Sequence, residues 1–216
     1  MLPYANLVAI LPTLLPRISL PGPWYRAVAF DYLQGPPPGA PAGSPIQPLW
    51  PGGSHQKGVR FTPKAPPASA INGLYLGTDE KTTIAEVTGV LSPSGSPVAI
   101  VFKPLALLSV LGVLTNLLDT TDPVVQDALG TNEAELTGNW AKAQVRYLAG
   151  TRPMPPTQVL GQAAFDAGGI VGLIYESTKS STNGKGILVF TDRLAAAGSY
   201  VELYNEPGGK LQQRIP

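Results

Sequence analysis

The sequence has no cysteine and a single histidine, His55, among its 216 residues. The absence of cysteine excludes disulfides, thiol catalysis and cysteine-based metal sites. One histidine cannot build a multi-histidine metal site, and we expect the protein to require no metal ion. His55 follows a stretch rich in Pro, Gly and Ser at residues 51–54, which predicts a histidine on a surface loop, although it is also the one histidine available to a catalytic triad.

Charged residues are scarce as well, at 13% of the chain, whereas hydrophobic residues make up 44%. This composition supports a hydrophobic core and excludes a disordered chain. The formal net charge is +1 and the chain has no long run of Lys or Arg, so direct binding of nucleic acid has no electrostatic support. A chain with so little charge either needs little solubilising surface or covers part of its surface with a partner.

The chain also lacks an uninterrupted apolar segment that is long enough to cross a membrane. Pro3, Pro12 and Pro16 interrupt the apolar N-terminal residues and no basic residue precedes them, which argues against a signal peptide. The apolar run at residues 105–118 is shorter than the roughly 20 residues that a spanning helix needs. We therefore expect a soluble, cytoplasmic protein without a membrane partner.

Loops and strands are predicted from composition and from short apolar runs. Residues 35–51 are rich in Pro, Gly, Ala and Ser and predict an irregular surface loop, as do residues 63–69. Short apolar runs bounded by turn formers predict strands; these runs are residues 73–77, 98–102, 172–175, 186–190 and 201–204.

Helices are predicted between these strands. Over residues 78–87, Thr78 or Asp79 can cap the start of a helix, with Ile84 and Val87 facing the core. Residues 103–161 are predicted to be mostly helix and loop, with helices over 132–136 and 140–148, and another helix follows over 157–167. Strands before and after helices predict an α+β fold with a mixed or antiparallel central sheet and flanking helices, formed by residues 1–216 as a single domain.

The apolar run at residues 105–118 allows two interpretations. The spacing of Leu105, Leu108 and Leu111 predicts an ordinary helix that faces the core. The same apolar residues can instead form a surface that is buried against another chain.

Several short stretches occur in the order that a known family shows: residues 24–26 (Trp-Tyr-Arg), 58–61, 73–77, 84–87, 172–177 and 187–190. This ordered set, spanning residues 24–190, resembles the RES domain, a family named for an arginine, a glutamate and a serine. The resemblance implies an ADP-ribosyltransferase-like fold and a toxin of a bacterial toxin–antitoxin pair that degrades NAD. It also implies an Xre-like helix-turn-helix antitoxin as partner, and hence a hetero-oligomer.

The sequence departs from the family pattern in two places. Residues 35–51 are longer than the compact pattern needs, which indicates a loop insertion. Family members often carry an asparagine just before the last strand, where this chain has Lys185 and Gly186. The nearest asparagine is Asn183, which becomes the candidate for that substrate-binding position.

The resemblance assigns the catalytic carboxylate to Glu86. Cleavage of the nicotinamide–ribose bond is expected to pass through an oxocarbenium-like transition state, which a fixed carboxylate stabilises. From its helix alone, Glu86 is equally a solvated surface group. Glu176 is a second acidic residue near a matched stretch, but the resemblance favours Glu86.

Arg26 and Arg60 match the arginine positions of the family. A guanidinium binds phosphate oxygens in a bidentate manner, so either residue can bind the phosphates of NAD or incoming inorganic phosphate. The resemblance also places Arg26 among the catalytic residues. The structural alternative for both is a cap or an ion pair at the end of a strand.

Tyr75 and Ser177 complete the set of candidates. Tyr75 either stacks on the nicotinamide ring or only packs in the core, because alternate positions of a strand face inward. The Ser177 hydroxyl either bonds a ribose hydroxyl or phosphate oxygen, as a catalytic and substrate-binding residue, or caps a turn. It is not a nucleophile, since the sequence places no base beside it.

The resemblance implies NAD as a substrate and not as a recycled cofactor. No Gly-rich phosphate loop of the P-loop or Rossmann type occurs in the sequence. The leading hypothesis is an NAD phosphorylase or NAD glycohydrolase, with inorganic phosphate or water as the acceptor. A protein ADP-ribosyltransferase toxin and a non-catalytic NAD-binding or interaction module are the alternatives. The sequence does not choose the acceptor.

Overall fold

The computed structural model describes residues 1–14, 17–41, 43–66, 69–91, 97–99, 104–179, 184–206 and 208–216. They form an α+β fold with a mixed central sheet and flanking helices, so the predicted fold class is confirmed. The helices are α1 (Tyr4–Ile10), α2 (Gly53–Lys57), α3 (Glu80–Thr88), α4 (Pro123–Ala128), α5 (Glu133–Thr137), α6 (Trp140–Leu148) and α7 (Pro156–Ala167). The strands are β1 (Ile18–Pro21), β2 (Trp24–Ala29), β3 (Gly73–Gly77), β4 (Gly89–Leu91), β5 (Pro97–Ala99), β6 (Leu105–Asp119), β7 (Gly172–Glu176), β8 (Lys185–Phe190), β9 (Tyr200–Tyr204) and β10 (Leu211–Ile215).

The long strand β6 organises the central sheet. Its first half pairs with β2, its middle pairs with β9 and β1, and its end pairs in parallel with β7. Antiparallel pairs continue from β2 to β3, from β3 to β8 and from β8 to β7. Strands β6, β2, β3, β8 and β7 therefore form a closed ring, β10 extends the sheet beyond β9, and β4 and β5 form a separate hairpin.

Strand β6 corrects the predicted helix in residues 103–161. The apolar run that was expected to form a core-facing helix is an extended strand over Leu105–Asp119. A mostly apolar run does not by itself distinguish a buried helix from a strand, and pairing partners on both sides decide the outcome here. Leu107 and Leu111 remain exposed on this strand.

Most other predicted elements are confirmed. The strands expected at 73–77, 172–175, 186–190 and 201–204 are β3, β7, β8 and β9, and the helices expected at 132–136, 140–148 and 157–167 are α5, α6 and α7. The predicted strand at 98–102 overlaps β5, but residues 100–102 lie outside the described residues. None of the helices in the described ranges is long and apolar enough to span a bilayer.

Helix α3 forms where it was predicted, but it turns a different face to the core. Ile84 and Val87 were expected to be buried, and instead they are 40% and 51% exposed. The buried side of α3 carries threonines: Thr83 donates hydrogen bonds to the backbone oxygens of Tyr25 in β2 and of Asp79. Asp79 also accepts from the first turn of the helix, as predicted for its cap. Polar contacts with β2 therefore orient α3.

His55 is a second correction. It was expected on a surface loop, but it lies in α2 and is only 8% exposed. The neighbouring Ser54 hydroxyl accepts a hydrogen bond from the backbone N–H of Gly73 at 3.3 Å, which holds α2 against β3. Docking of this short helix on the sheet buries a residue that the local sequence marked as exposed.

The predicted loop at residues 35–51 is confirmed, since its described residues form turns and bends and neither helix nor strand. Its end is anchored, because Leu49 is fully buried and the Leu49 N–H donates to the Gln213 side chain in β10 at 2.8 Å. The described residues of the predicted loop at 63–69 likewise lie in neither an α-helix nor a strand. The loop at 35–51 therefore has a fixed end, which approaches the site described below.

Replacement of Gly161 by alanine should destabilise the protein strongly. Gly161 lies on the face of α7 that packs against the backbone of Phe61, and an added Cβ would overlap the Phe61 carbonyl. We expect a loss of about 2 kcal/mol in the free energy of unfolding, because overpacking against backbone outweighs the higher helix propensity of alanine. Denaturant unfolding measures this change.

Gly35 provides the matched control for this substitution. No atom lies within 4 Å of a Cβ built there, so Gly35→Ala should change the free energy of unfolding by less than about 0.5 kcal/mol. Equal effects of the two substitutions would contradict the close approach of α7 to Phe61.

Candidate active site

One large cleft opens over the face of the sheet formed by β2 and β3. Its volume is about 490 Å³, within the range of small-molecule sites. The walls come from β2, β3, α2, α3 and the end of the loop at residues 35–51. Four of the predicted site residues line this cleft: Arg26, Arg60, Tyr75 and Glu86.

Ser177 lies directly beside the Glu86 carboxylate. Its hydroxyl donates a hydrogen bond of 2.5 Å to Oε1 of Glu86, and Ser177 itself is buried. Two residues further on, the Lys179 ammonium donates to the backbone oxygen of Glu86 at 2.8 Å. The segment after β7 therefore holds Glu86 by both its side chain and its backbone, so this carboxylate is oriented rather than freely solvated.

Arg26 lines the cleft as a partly buried cation. Its Nη2 donates to the backbone oxygen of Trp50 at 2.8 Å, while its buried Nε has no hydrogen-bond partner among the described residues. Burial lowers the pKa of Arg26 to about 10, which still leaves it cationic at neutral pH. None of the ion pairs found in the described ranges involves Arg26. A desolvated cation of this kind favours an anionic ligand.

Arg60 is held far more tightly than Arg26. Its Nε and Nη2 donate to the backbone oxygen of Leu136, and its Nη1 donates to the backbone oxygen of Glu176 at 2.7 Å. The guanidinium carbon also lies 5.4 Å and 5.0 Å from the ring centroids of Phe61 and Tyr175. Arg60 thus holds separate segments together and also lines the cleft, and burial lowers its pKa.

The family model of the RES domain matches residues 19–208. The chain belongs to the RES domain family. A search of curated proteins finds no match to it. Among solved structures, the chain is similar to one chain of the crystal structure of the MbcT–MbcA toxin–antitoxin complex from M. tuberculosis, with a TM-score of 0.57 and 17% sequence identity. This likeness covers 97% of the chain and 91% of the matched chain, and it is a likeness of fold.

Tyr75 contributes to this RES-domain cleft mainly as part of its floor. Its hydroxyl accepts from the Phe61 N–H at 3.2 Å and shares a hydrogen bond of 2.9 Å with Thr62. Its ring meets that of Tyr175 edge to face, with 6.4 Å between the centroids. Burial raises the pKa of Tyr75, which therefore stays neutral. Stacking on nicotinamide stays a prediction, since Tyr75 both packs and lines the cleft.

The two remaining candidates from the sequence are Glu176 and Asn183. Glu176 is not among the described residues that line the large cleft, and its backbone oxygen is occupied by Arg60. This geometry favours Glu86 over Glu176 as the acidic group of the site. Asn183 lies outside the described residues.

Sequence reasoning missed several residues that line the RES-domain cleft. Lys57 and Lys179 add two cations, and Trp50, Trp140 and Tyr175 add aromatic surface. Tyr175 lies within the matched stretch that ends at Ser177 and Lys179 follows it by two residues, so their position in the sequence offered a signal. Trp50 and Trp140 come from a loop and a separate helix, and only folding brings them to the cleft.

The charges of the cleft are strongly unequal. Among its described lining residues, Arg26, Lys57, Arg60 and Lys179 are cationic and Glu86 is the one carboxylate. The protein as a whole has a formal net charge of only +1, so this excess is local. The site can attract a ligand with two negative charges and place a single oriented carboxylate against it.

Proposed function

We propose that this RES-domain protein is a toxin enzyme that cleaves the nicotinamide–ribose bond of NAD, with inorganic phosphate or water as the acceptor. The observation that carries the proposal is one carboxylate, Glu86, fixed by Ser177 within a cleft whose other charged lining residues are cations. NAD is bound and consumed as a substrate.

The cations provide the binding energy for the pyrophosphate of NAD. Arg26 is suited to this role because its guanidinium reaches the cleft and none of the described acidic residues neutralises it. Guanidinium–phosphate bonds are charge-assisted, and they are stronger in a partly desolvated cleft than in water. Arg60 adds charge from a position that its three backbone hydrogen bonds hold. The same cations can hold inorganic phosphate near the reacting carbon.

The carboxylate provides the selectivity for the transition state. Positive charge develops on the ribose as the bond to nicotinamide breaks, so a negative group beside it lowers the barrier. Glu86 does this without reorganising, because Ser177 and Lys179 hold it in place before substrate arrives. Because the Ser177 hydroxyl already donates to Glu86, Ser177 acts by orienting this carboxylate.

We further propose an Xre-like helix-turn-helix antitoxin that covers the cleft and forms a hetero-oligomer with this chain. The fold likeness to a chain from a toxin–antitoxin complex supports this partner. So does the apolar side of α3 beside the cleft, where Ile84 and Val87 are exposed. Burial of these side chains against a second chain would remove apolar surface from water.

The test is incubation of the purified chain, free of any partner, with NAD in phosphate buffer and in phosphate-free buffer. Chromatography follows nicotinamide and the sugar product. We expect nicotinamide release, with ADP-ribose-1″-phosphate identifying phosphorolysis and free ADP-ribose identifying hydrolysis. Untouched NAD in both buffers would overturn the proposal, and ADP-ribose found on added protein would redirect it to protein ADP-ribosyltransfer.

A further inference from the structure

The end of the loop at residues 35–51 places an indole ring in the cleft. Trp50 is half-buried, lines the cleft, and packs on Gly52, where an added Cβ would overlap its ring. The Trp50 backbone is fixed on both sides: its N–H donates to the Gln47 oxygen at 2.9 Å, and its carbonyl accepts from Arg26 at 2.8 Å. The Trp50 side chain therefore extends from a fixed backbone directly beside Arg26, the cation that is suited to phosphate.

Gln47 also lines the cleft, and it is the first residue of the turn that the Trp50 N–H closes. Its side-chain amide has no hydrogen-bond partner among the described residues. Leu49, between Gln47 and Trp50, is fully buried, and its N–H is bonded to Gln213. The turn is thus anchored through Leu49, while an aromatic ring and an unoccupied amide are left for a ligand.

We propose that Gln47 and Trp50 form a subsite for the adenine base of a dinucleotide. An aromatic side chain stacks on a base, and a glutamine amide pairs with the N6 and N7 atoms of adenine through two hydrogen bonds. In NAD one ribose separates adenine from the pyrophosphate, which matches the position of Trp50 next to Arg26. The proposal rests on the proposed function for the identity of the ligand, and it assigns the loop at residues 35–51 a role in substrate selection.

Calorimetric binding of ADP-ribose, AMP and inosine monophosphate tests the subsite without any turnover. Trp50→Ala should weaken ADP-ribose binding by about tenfold or more, since base stacking is lost, whereas Trp50→Phe should retain most of the affinity. Gln47→Leu should reduce the preference for AMP over inosine monophosphate, which lacks the 6-amino group. Wild-type affinity for ADP-ribose in Trp50→Ala, or an unchanged AMP preference in Gln47→Leu, would overturn the subsite.

Kinetics separate the failure of this subsite from the failure of the proposed function. Nicotinamide mononucleotide contains the bond to be cleaved but no adenine. The preference for NAD over it should therefore fall about tenfold in Trp50→Ala, and it should change little in Trp50→Phe, which keeps a ring for stacking. NAD cleavage with an unchanged preference would reject the subsite alone. Absence of NAD cleavage, with AMP binding that depends on Trp50, would reject the function alone. Gln47→Leu nearly keeps the side-chain volume, so its expected loss of AMP preference still tests the subsite if Trp50→Ala does not fold.

Discussion

Glu86→Gln is expected to lower the rate of nicotinamide release from NAD by at least about 100-fold, the loss typical when one preorganised electrostatic group is removed from an active site. Glutamine keeps the size of the side chain and can still contact Ser177, but it has no charge to set against the positive ribose. The loss should appear in kcat, because the charge develops only in the transition state. Nicotinamide release measured by chromatography at saturating NAD gives this value.

Two further variants make the Glu86 result specific. Ser177→Ala keeps the carboxylate but removes the 2.5 Å hydrogen bond that orients it, so we expect a smaller loss of about tenfold. Glu176→Gln removes a carboxylate that is not among the described lining residues of the cleft, and its rate should stay near that of the wild type. A Glu86→Gln rate within a few-fold of the wild type would remove Glu86 from the mechanism.

Arg60→Met is expected mainly to lower the stability of the protein, whereas Arg26→Met is expected mainly to weaken NAD binding. Arg60 donates three hydrogen bonds to the backbone oxygens of Leu136 and Glu176, and its loss should cost about 3 kcal/mol or more in the free energy of unfolding. Arg26 donates one hydrogen bond, to Trp50, and is otherwise a desolvated cation. Its removal should change stability by no more than about 1 kcal/mol, since loss of the bond is offset by relief of the buried charge.

The same two variants differ in substrate binding. Arg26→Met should weaken NAD binding by about 30-fold or more, because a partly buried charge would no longer meet the pyrophosphate. Denaturant unfolding and calorimetric NAD binding, measured on both variants, provide the comparison. A folded, stable Arg60→Met protein would contradict the structural role of Arg60, and unchanged NAD affinity in Arg26→Met would contradict the phosphate-binding role of Arg26.

The sequence predicts a helix or strand correctly where the residues of that element determine its structure. Strands β3, β7 and β8 are short apolar runs between turn formers, and α7 has an apolar face that ends at Gly168 with a φ of 70°. These features act within a few residues, so they can be read from the sequence. The leucine-rich β6 could not be predicted from its own residues, because a helix and a strand bury such a run equally well. Pairing with β2, β7 and β9 makes it a strand.

The orientation of α3 and the burial of His55 depend on contacts between distant segments. Helix α3 exposes Ile84 and Val87 because its threonine side is held against β2. His55 is buried because α2 docks on β3 through Ser54 and Gly73. A composition-based prediction of exposure has no access to such docking.

The sequence by itself determined the chemical groups of the candidate site: two arginines, a tyrosine, a glutamate and a serine in a family-specific order, within a chain too poor in cysteine and histidine for most other chemistries. Only the tertiary structure decided what those groups do for one another. It placed Ser177 against Glu86 across 91 positions of the chain, engaged Arg60 with backbone oxygens, and left Arg26 without a carboxylate among the described residues. It also brought Trp50 and Gln47 from a loop into the cleft. The physical reason is that hydrogen bonds and desolvation depend on distances across the fold, which residue order alone does not contain.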